Sequence, residues 1–270
     1  MKLSGNQNLK ITSRDNERIK IARKTRDGDE ERIFIEGLRL VEEALRADLK
    51  ISDIFFTENF AKNQRHRDFL NRASRFNLNE ISDKVFDSLA DTKTSQGVVL
   101  IARKPSTGKD KIEANLVKDA PLVVVLHRIN NPSNLGAILR TAEAADVSGI
   151  IVTGNSADAF SPKALRGAMG AAFRLPLWTD AEFSEVLRWA RERNLISVAA
   201  DVKAEKSYSE IDWNKPRLLI FGSEAHGLSS EETAKIEEML KIPMANGVES
   251  LNLAASAAVI LFEARRQRSG

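Results

Sequence analysis

Short, mainly apolar runs recur along the second half of the chain, separated by polar stretches with helical patterning. LVVVL at 122–126, GIIVT at 149–153, LISVAA at 195–200 and LLIF at 218–221 are the clearest. Runs of this length without alternation predict strands buried on both faces, as in a parallel sheet covered by helices. Between them, NLGAILRTAEAA, SPKALRGAMGA (Ser161 as N-cap, Pro162 at N1) and the stretch around EFSEVLRWARER read as helices. The final segment, SLNLAASAAVILFEARRQR, sets Leu251, Ala254, Ala258 and Leu261 at helical spacing. That small apolar face can pack within its own domain or against a second copy. The pattern is a βαβ-type layered sheet.

The first hundred residues differ. IFIEGLRLVEEALR places Leu38, Val41, Ala44 and Leu45 on one helical face, while ISDIFFT and QGVVLIA read as strands. This predicts a small α/β domain, and nothing in it pairs a nucleophile with an adjacent base. It reads as a binding module. Pro, Gly, Ser and charges break the pattern in RKPSTGKDKIEANLVKDAP at 103–121. The expected organisation is an N-terminal domain over 1–104, a linker over 105–120 and a C-terminal domain over 121–270.

With 270 residues, 42% of them hydrophobic, the chain is long enough for a substantial core. It has no cysteine, and only His66, His127 and His226 offer imidazole, so no metal site is expected. No stretch approaches the roughly 20 apolar residues of a membrane span. The expectation is a cytoplasmic protein without a membrane partner. Charge is unevenly spread: residues 1–105 carry 21 Lys+Arg against 17 Asp+Glu, and residues 106–270 carry 20 against 21. Residues 1–26 alone hold eight basic side chains and two acidic ones. Such a segment suits a polyanion, although a solvated helix face looks the same in sequence.

Three polar clusters interrupt the C-terminal domain just after or beside expected strands, where open α/β sheets bind ligands. In NNPSNLGAILRT, Pro132 and Gly136 suggest a turn presenting amides, Asn134 a cap for the next helix, and Arg140 a cation needing an anionic partner or a snorkelling path. In LLIFGSEAHGLS, Gly222 and Gly227 allow close backbone approach while Glu224 sits at a strand end. In IPMANGVESLNLAAS, Ser250 and Asn252 precede the last helix, with Ser250 readable as its N-cap. No phosphate loop, GxGxxG or GxSxG is present.

In order and spacing these clusters resemble the SpoU family, in the SPOUT superfamily, of S-adenosylmethionine-dependent RNA 2′-O-ribose methyltransferases. The resemblance rests on NxGxxxRT (Asn134, Gly136, Arg140, Thr141), FGSExxG (Gly222, Glu224, Gly227), and IPM followed by SLN (Ile242, Met244, Ser250, Leu251, Asn252). FIEGLRLVEEAL and SQGVVL resemble the RNA-binding domain of many members, so nearly the whole chain is covered. One departure is Leu253-Ala254 after SLN, where members often have Val-Ser. The resemblance implies a C-terminal α/β-knot domain with a deep trefoil knot and a mainly parallel sheet. It further implies S-adenosylmethionine held by Gly222, Ile242, Met244 and Leu251, without a metal, and a homodimer formed through this domain. It implicates Arg140 in catalysis, with Asn134, Glu224, Ser250 and Asn252 orienting the reactants. Ribosomal RNA of the large subunit is the expected substrate. Transfer RNA, or a non-catalytic RNA-binding role in ribosome assembly, are the alternatives, and the presence of Arg140, Glu224 and Asn252 together argues for activity.

Overall fold

The computed structural model describes residues 10–246 and 248–269. Two compact units result: residues up to Pro105 together with Phe160–Arg166, and Ser106–Ala159 together with the residues from Gly167 onward.

In the first unit the chain runs α1 (Glu17–Asp27), β1 (Arg32–Glu36), α2 (Leu38–Arg46), β2 (Ile51–Thr57), α3 (Glu58–Lys62), α4 (Gln64–Arg72), β3 (Leu78–Ile81), α5 (Asp83–Leu89) and β4 (Val98–Arg103). The strands form one sheet in the order β1-β4-β2-β3, antiparallel except for β2 with β3. IFIE is strand rather than part of the helix that follows. Gly37, at φ +94°, turns the chain between them and donates its N–H to Val98. Alternate strand residues Phe34, Phe55, Val99 and Ile101 pack with Ile19, Ala22, Val85, Phe86 and Leu89 of α1 and α5. In α2 the buried set is Leu38, Leu40, Val41 and Ala44, with Leu45 only partly covered.

Much of the basic N-terminal segment is spent inside this unit. Arg14 donates to the carbonyl of Lys84, Arg26 to those of Ser88 and Leu89, Arg23 to that of Arg14, and Arg18 to the side chains of Asn77 and Asn79. These arginines pin α1 to the domain through hydrogen bonds, while Lys24 stays exposed. Residues 1–9 lie outside the described residues.

The second unit contains α6 (Lys109–Glu113), β5 (Leu122–Leu126), α7 (Pro132–Ala144), β6 (Gly149–Thr153), α8 (Pro162–Ala168, which straddles the division), α9 (Ala171–Arg174), β7 (Leu177–Ala181), α10 (Phe183–Glu192), β8 (Ile196–Ala200), β9 (Arg217–Phe221), α11 (Ser230–Thr233), β10 (Glu238–Leu240) and α12 (Leu253–Arg268). Its six strands are all parallel, in the order β10-β8-β9-β5-β6-β7. Every residue of β5, β6 and β9 is buried, and apart from Thr153 and Arg217 at their ends these strands are apolar throughout, which explains their legibility as apolar runs. Trp178, Val186, Leu187 and Trp189 join Val123, Val125, Leu218 and Ile220 in one core cluster. Ile112 of α6 joins it too, from within the segment between the two apolar patterns.

Helices α7 and α12 pack on one another. On α12 the buried stripe is Ala257, Ile260, Leu261 and Ala264; of the expected face Leu261 is buried, Ala254 and Ala258 are half-buried and Leu251 is exposed. The helix begins at Leu253, so Leu251 belongs to the preceding loop. No helix among the described residues is long and apolar enough to cross a membrane.

Candidate active site

The loops leaving the carboxyl ends of β8, β9 and β10 meet the start of α12, the edge where parallel sheets receive ligands. They enclose a cleft of about 270 Å³. Its walls are largely apolar, including Phe221, Leu240, Ile242, Met244, Leu251 and Ile260; Asn134, Glu224, Ser250 and Asn252 add polar groups.

Three of those polar residues form a continuous chain. The Glu224 carboxylate accepts from the backbone N–H groups of Asn130 (3.2 Å) and Asn131 (3.3 Å) and from the Asn134 side-chain amide (3.3 Å). The Asn134 side-chain oxygen in turn accepts from Asn252 Nδ2 at 3.2 Å. Asn252 Oδ1 accepts from the Ala254 and Ala255 N–H groups, so it is the N-cap of α12. Loops distant in sequence are thus locked to one another through side chains of fixed donor and acceptor sense.

These bonds revise three local expectations. Asn134 does not cap α7: Asn131 does, accepting from Ser133 N–H, with Pro132 at N1. Asn134 therefore sits within the first turn of the helix, its amide reaching Glu224. Gly136 forms no turn either. It is buried in α7, where a Cβ on Gly167 would come within 3.2 Å of its Cα, so the pair permits close packing of two backbones. Ser250 is not the cap of α12, since Asn252 takes that position, and the Ser250 hydroxyl makes no hydrogen bond among the described residues.

Gly222 and Gly227 shape the second loop. Ser223 and Gly227 exchange backbone hydrogen bonds of 3.2 and 2.9 Å in a tight turn, with Gly227 at φ +63°. The turn folds straight back onto Gly222, and a Cβ there would press on the Gly227 carbonyl and lie 2.7 Å from the Leu228 nitrogen. Backbone fills the space that a side chain would take.

Arg140 stands apart. It does not line the cleft, is exposed on α7, and forms no ion pair or hydrogen bond among the described residues. Six residues of helix separate it from Asn134, a rotation that sends the two side chains to different faces. The internal salt bridge that an arginine in such a helix suggests is absent among the described residues.

The histidines are elsewhere. His127 is buried; its Nδ1 meets Thr153 Oγ1 at 3.0 Å and its Nε2 meets Glu232 Oε1 at 3.1 Å. Burial pushes its pKa down and outweighs the upward pull of Glu232. His226 is exposed on the 223–227 turn and does not line the cleft. No cluster of residues suited to a metal ion occurs among the described residues. Sequence reasoning missed Asp201, Lys241 and Ser256, all of which line the cleft. For Asp201 the available signal was position, a charged residue directly after an apolar strand run.

The profile of the SpoU rRNA Methylase family matches residues 121–262, and that of the RNA 2′-O ribose methyltransferase substrate binding domain matches 34–108. The chain belongs to the SpoU rRNA methylase family. Among relatives of this SpoU chain is the 23S rRNA (guanosine-2′-O-)-methyltransferase RlmB of Bordetella pertussis, 31% identical over 80% of this chain and 89% of the relative. The SpoU methyltransferase AviRb from Streptomyces viridochromogenes, solved with AdoMet, superposes with a TM-score of 0.84 at 27% identity, covering 94% of this chain and 98% of that one. The AdoMet-bound rRNA methyltransferase from Sinorhizobium meliloti gives 0.80 at 31% identity, with 96% and 97% covered. The family match on this SpoU chain spans all three polar clusters of the site.

Proposed function

We propose that this SpoU chain transfers the methyl group of S-adenosylmethionine to a ribose 2′-hydroxyl of RNA, with large-subunit ribosomal RNA as substrate. The observation that carries the reading is the Glu224–Asn134–Asn252 chain at an apolar-walled cleft on the carboxyl edge of a parallel sheet. The residues present fit the donor. Ile242, Met244 and Leu251 offer apolar surface for adenine, and the close backbone at Gly222 offers main-chain hydrogen bonds. The known functions of the relatives and of the AdoMet-bound neighbours agree with this.

When bound, S-adenosylmethionine would supply a methyl group already activated by the sulfonium, so the chain's task is to align the 2′-hydroxyl, a poor nucleophile whose proton passes to solvent. Glu224 already accepts three N–H groups and so acts by positioning: it holds the 130–131 loop and Asn134. The planar guanidinium fork of Arg140 fixes the phosphate next to the target ribose. Ser250 and Asn252, at the foot of α12, orient the ribose through hydrogen bonds.

The exposed position of Arg140 supports a site completed in a homodimer formed through the C-terminal domain. Val259 and Phe262 point outward from α12, 38% and 52% exposed, on the helix that packs against α7. Phe262→Glu is expected to turn a particle of twice the chain mass into a monomer and to abolish methyl transfer with it. Light scattering and an activity assay on one preparation check this, and a wild type that is already monomeric contradicts it. The N-terminal unit, 1–104 joined by 105–120 to the catalytic domain, is the RNA-reading part, in line with its substrate-binding match. The fitting location is the cytoplasm.

The test of the function is transfer of labelled methyl groups to ribosomal RNA, followed by nuclease digestion and mass spectrometry. A 2′-O-methylnucleoside from the large-subunit RNA is expected. Label on a base, or donor binding without transfer to either ribosomal or transfer RNA, overturns the reading.

A further inference from the structure

Asp201 lines the cleft, yet none of the three motif clusters contains it. It directly follows β8, and its N–H donates to the Leu240 carbonyl at 2.9 Å, which ties it to the end of β10. One carboxylate oxygen accepts from Lys203 N–H at 2.7 Å, and this local turn fixes the orientation of the group. The other oxygen has no partner among the described residues. Lys241, the residue after β10, also lines the cleft but forms no ion pair with it. The β8–β9 ladder pairs Ala199 with Ile220, and two further residues on each strand bring Asp201 level with Gly222.

We infer that Asp201 accepts hydrogen bonds from the ribose hydroxyls of the adenosine in the methyl donor, an assignment that rests on the proposed methyltransferase reading. A half-buried carboxylate beside apolar walls, oriented but only half satisfied, is costly unless a ligand supplies donors. A vicinal diol supplies two O–H groups to one carboxylate. An acidic residue that binds ribose hydroxyls at the open edge of a parallel sheet is a general device of nucleotide sites. The location agrees: the Glu224–Asn134–Asn252 chain marks the reacting end on the β5 side of β9, and Asp201 lies on the β8 side. The adenosine ribose therefore extends away from the reacting end, with Asp201 setting how far it slides.

Calorimetric titration of the full chain without RNA tests this, using S-adenosylhomocysteine and its 2′-deoxy analogue against wild type, Asp201→Ala and Asp201→Asn. In the wild type, deleting the hydroxyl should weaken binding about tenfold, the loss of one charge-assisted hydrogen bond. Asp201→Ala should bind S-adenosylhomocysteine at least as weakly as the wild type binds the deoxy analogue, because the 3′-hydroxyl loses its acceptor too, with no further loss when the 2′-hydroxyl is removed. Asp201→Asn keeps the bond from Lys203 N–H and guards against a folding defect; it should show a smaller loss, since its bond to the hydroxyl is uncharged. An equal deoxy penalty in wild type and Asp201→Ala, or unchanged affinity in Asp201→Ala, overturns the assignment and leaves the methyltransferase reading intact. Restored parity only with an analogue lacking the amino group places the ammonium at Asp201 and also overturns it. A wild type that binds no adenosyl ligand removes the methyltransferase reading itself.

Discussion

Arg140→Ala is expected to lose about a thousandfold in methyl transfer, roughly 4 kcal/mol of transition-state stabilisation, while binding the donor and melting as the wild type does. Arg140 is exposed, lies outside the cleft lining and holds no partner among the described residues, so truncating it removes nothing from the folded chain. Exposed substitutions of that kind stay within about 0.5 kcal/mol in stability. Its contribution appears only when RNA is present, through the phosphate that the guanidinium grips. Arg140→Lys should also lose most of its activity, because an ammonium brings charge without the planar two-pronged contact. The measurement is single-turnover transfer at saturating donor, with melting temperature and donor affinity taken on the same sample. A folded Ala variant within tenfold of wild type assigns Arg140 a structural role and sinks the proposed mechanism.

Gly222→Ala should weaken donor binding by about a hundredfold, close to 2.7 kcal/mol, and lower the melting temperature. The cause is steric, not conformational, since the backbone at Gly222 does not need a positive φ. The added methyl group meets the Gly227 carbonyl and the Leu228 nitrogen, and backbone cannot rotate aside as a side chain can. The 223–227 turn must shift, and with it Ser223 and Glu224 in the cleft wall. Gly227→Ala makes the opposite comparison. Its Cβ meets nothing within 4 Å, but the φ of +63° costs an L-residue about 1–2 kcal/mol, so stability should fall while donor affinity changes little. Paired thermal melts and calorimetric titrations separate the two effects. Donor affinity within threefold of wild type in Gly222→Ala contradicts this account of the loop.

The central strands were legible because nothing about them is conditional. β5, β6, β8 and β9 are covered by helices, so apolar residues are required at successive positions whichever way each points. β7 and β10 gave no such signal. They are the sheet edges; β7 carries Thr179 and Asp180, and β10 has only three residues. An edge strand exists because a neighbour offers it hydrogen bonds, and that neighbour is remote in sequence.

The α/β class, the place of the three polar clusters at strand ends, and the family follow from residue type and order alone. Side-chain roles within the clusters were settled by tertiary structure. Asn131, Asn134 and Asn252 are chemically alike and all lie beside helix starts. Which of them caps and which bridges to Glu224 depends on where α12 crosses α7, a contact between residues more than a hundred positions apart. Likewise Gly136 reads as a turn residue locally, and only the approach of Gly167 shows that it makes room for packing. Asp201 entered the site in the same way. A carboxylate after a strand is unremarkable in sequence, and it becomes part of the cleft because parallel strands align their carboxyl ends along one edge of the sheet.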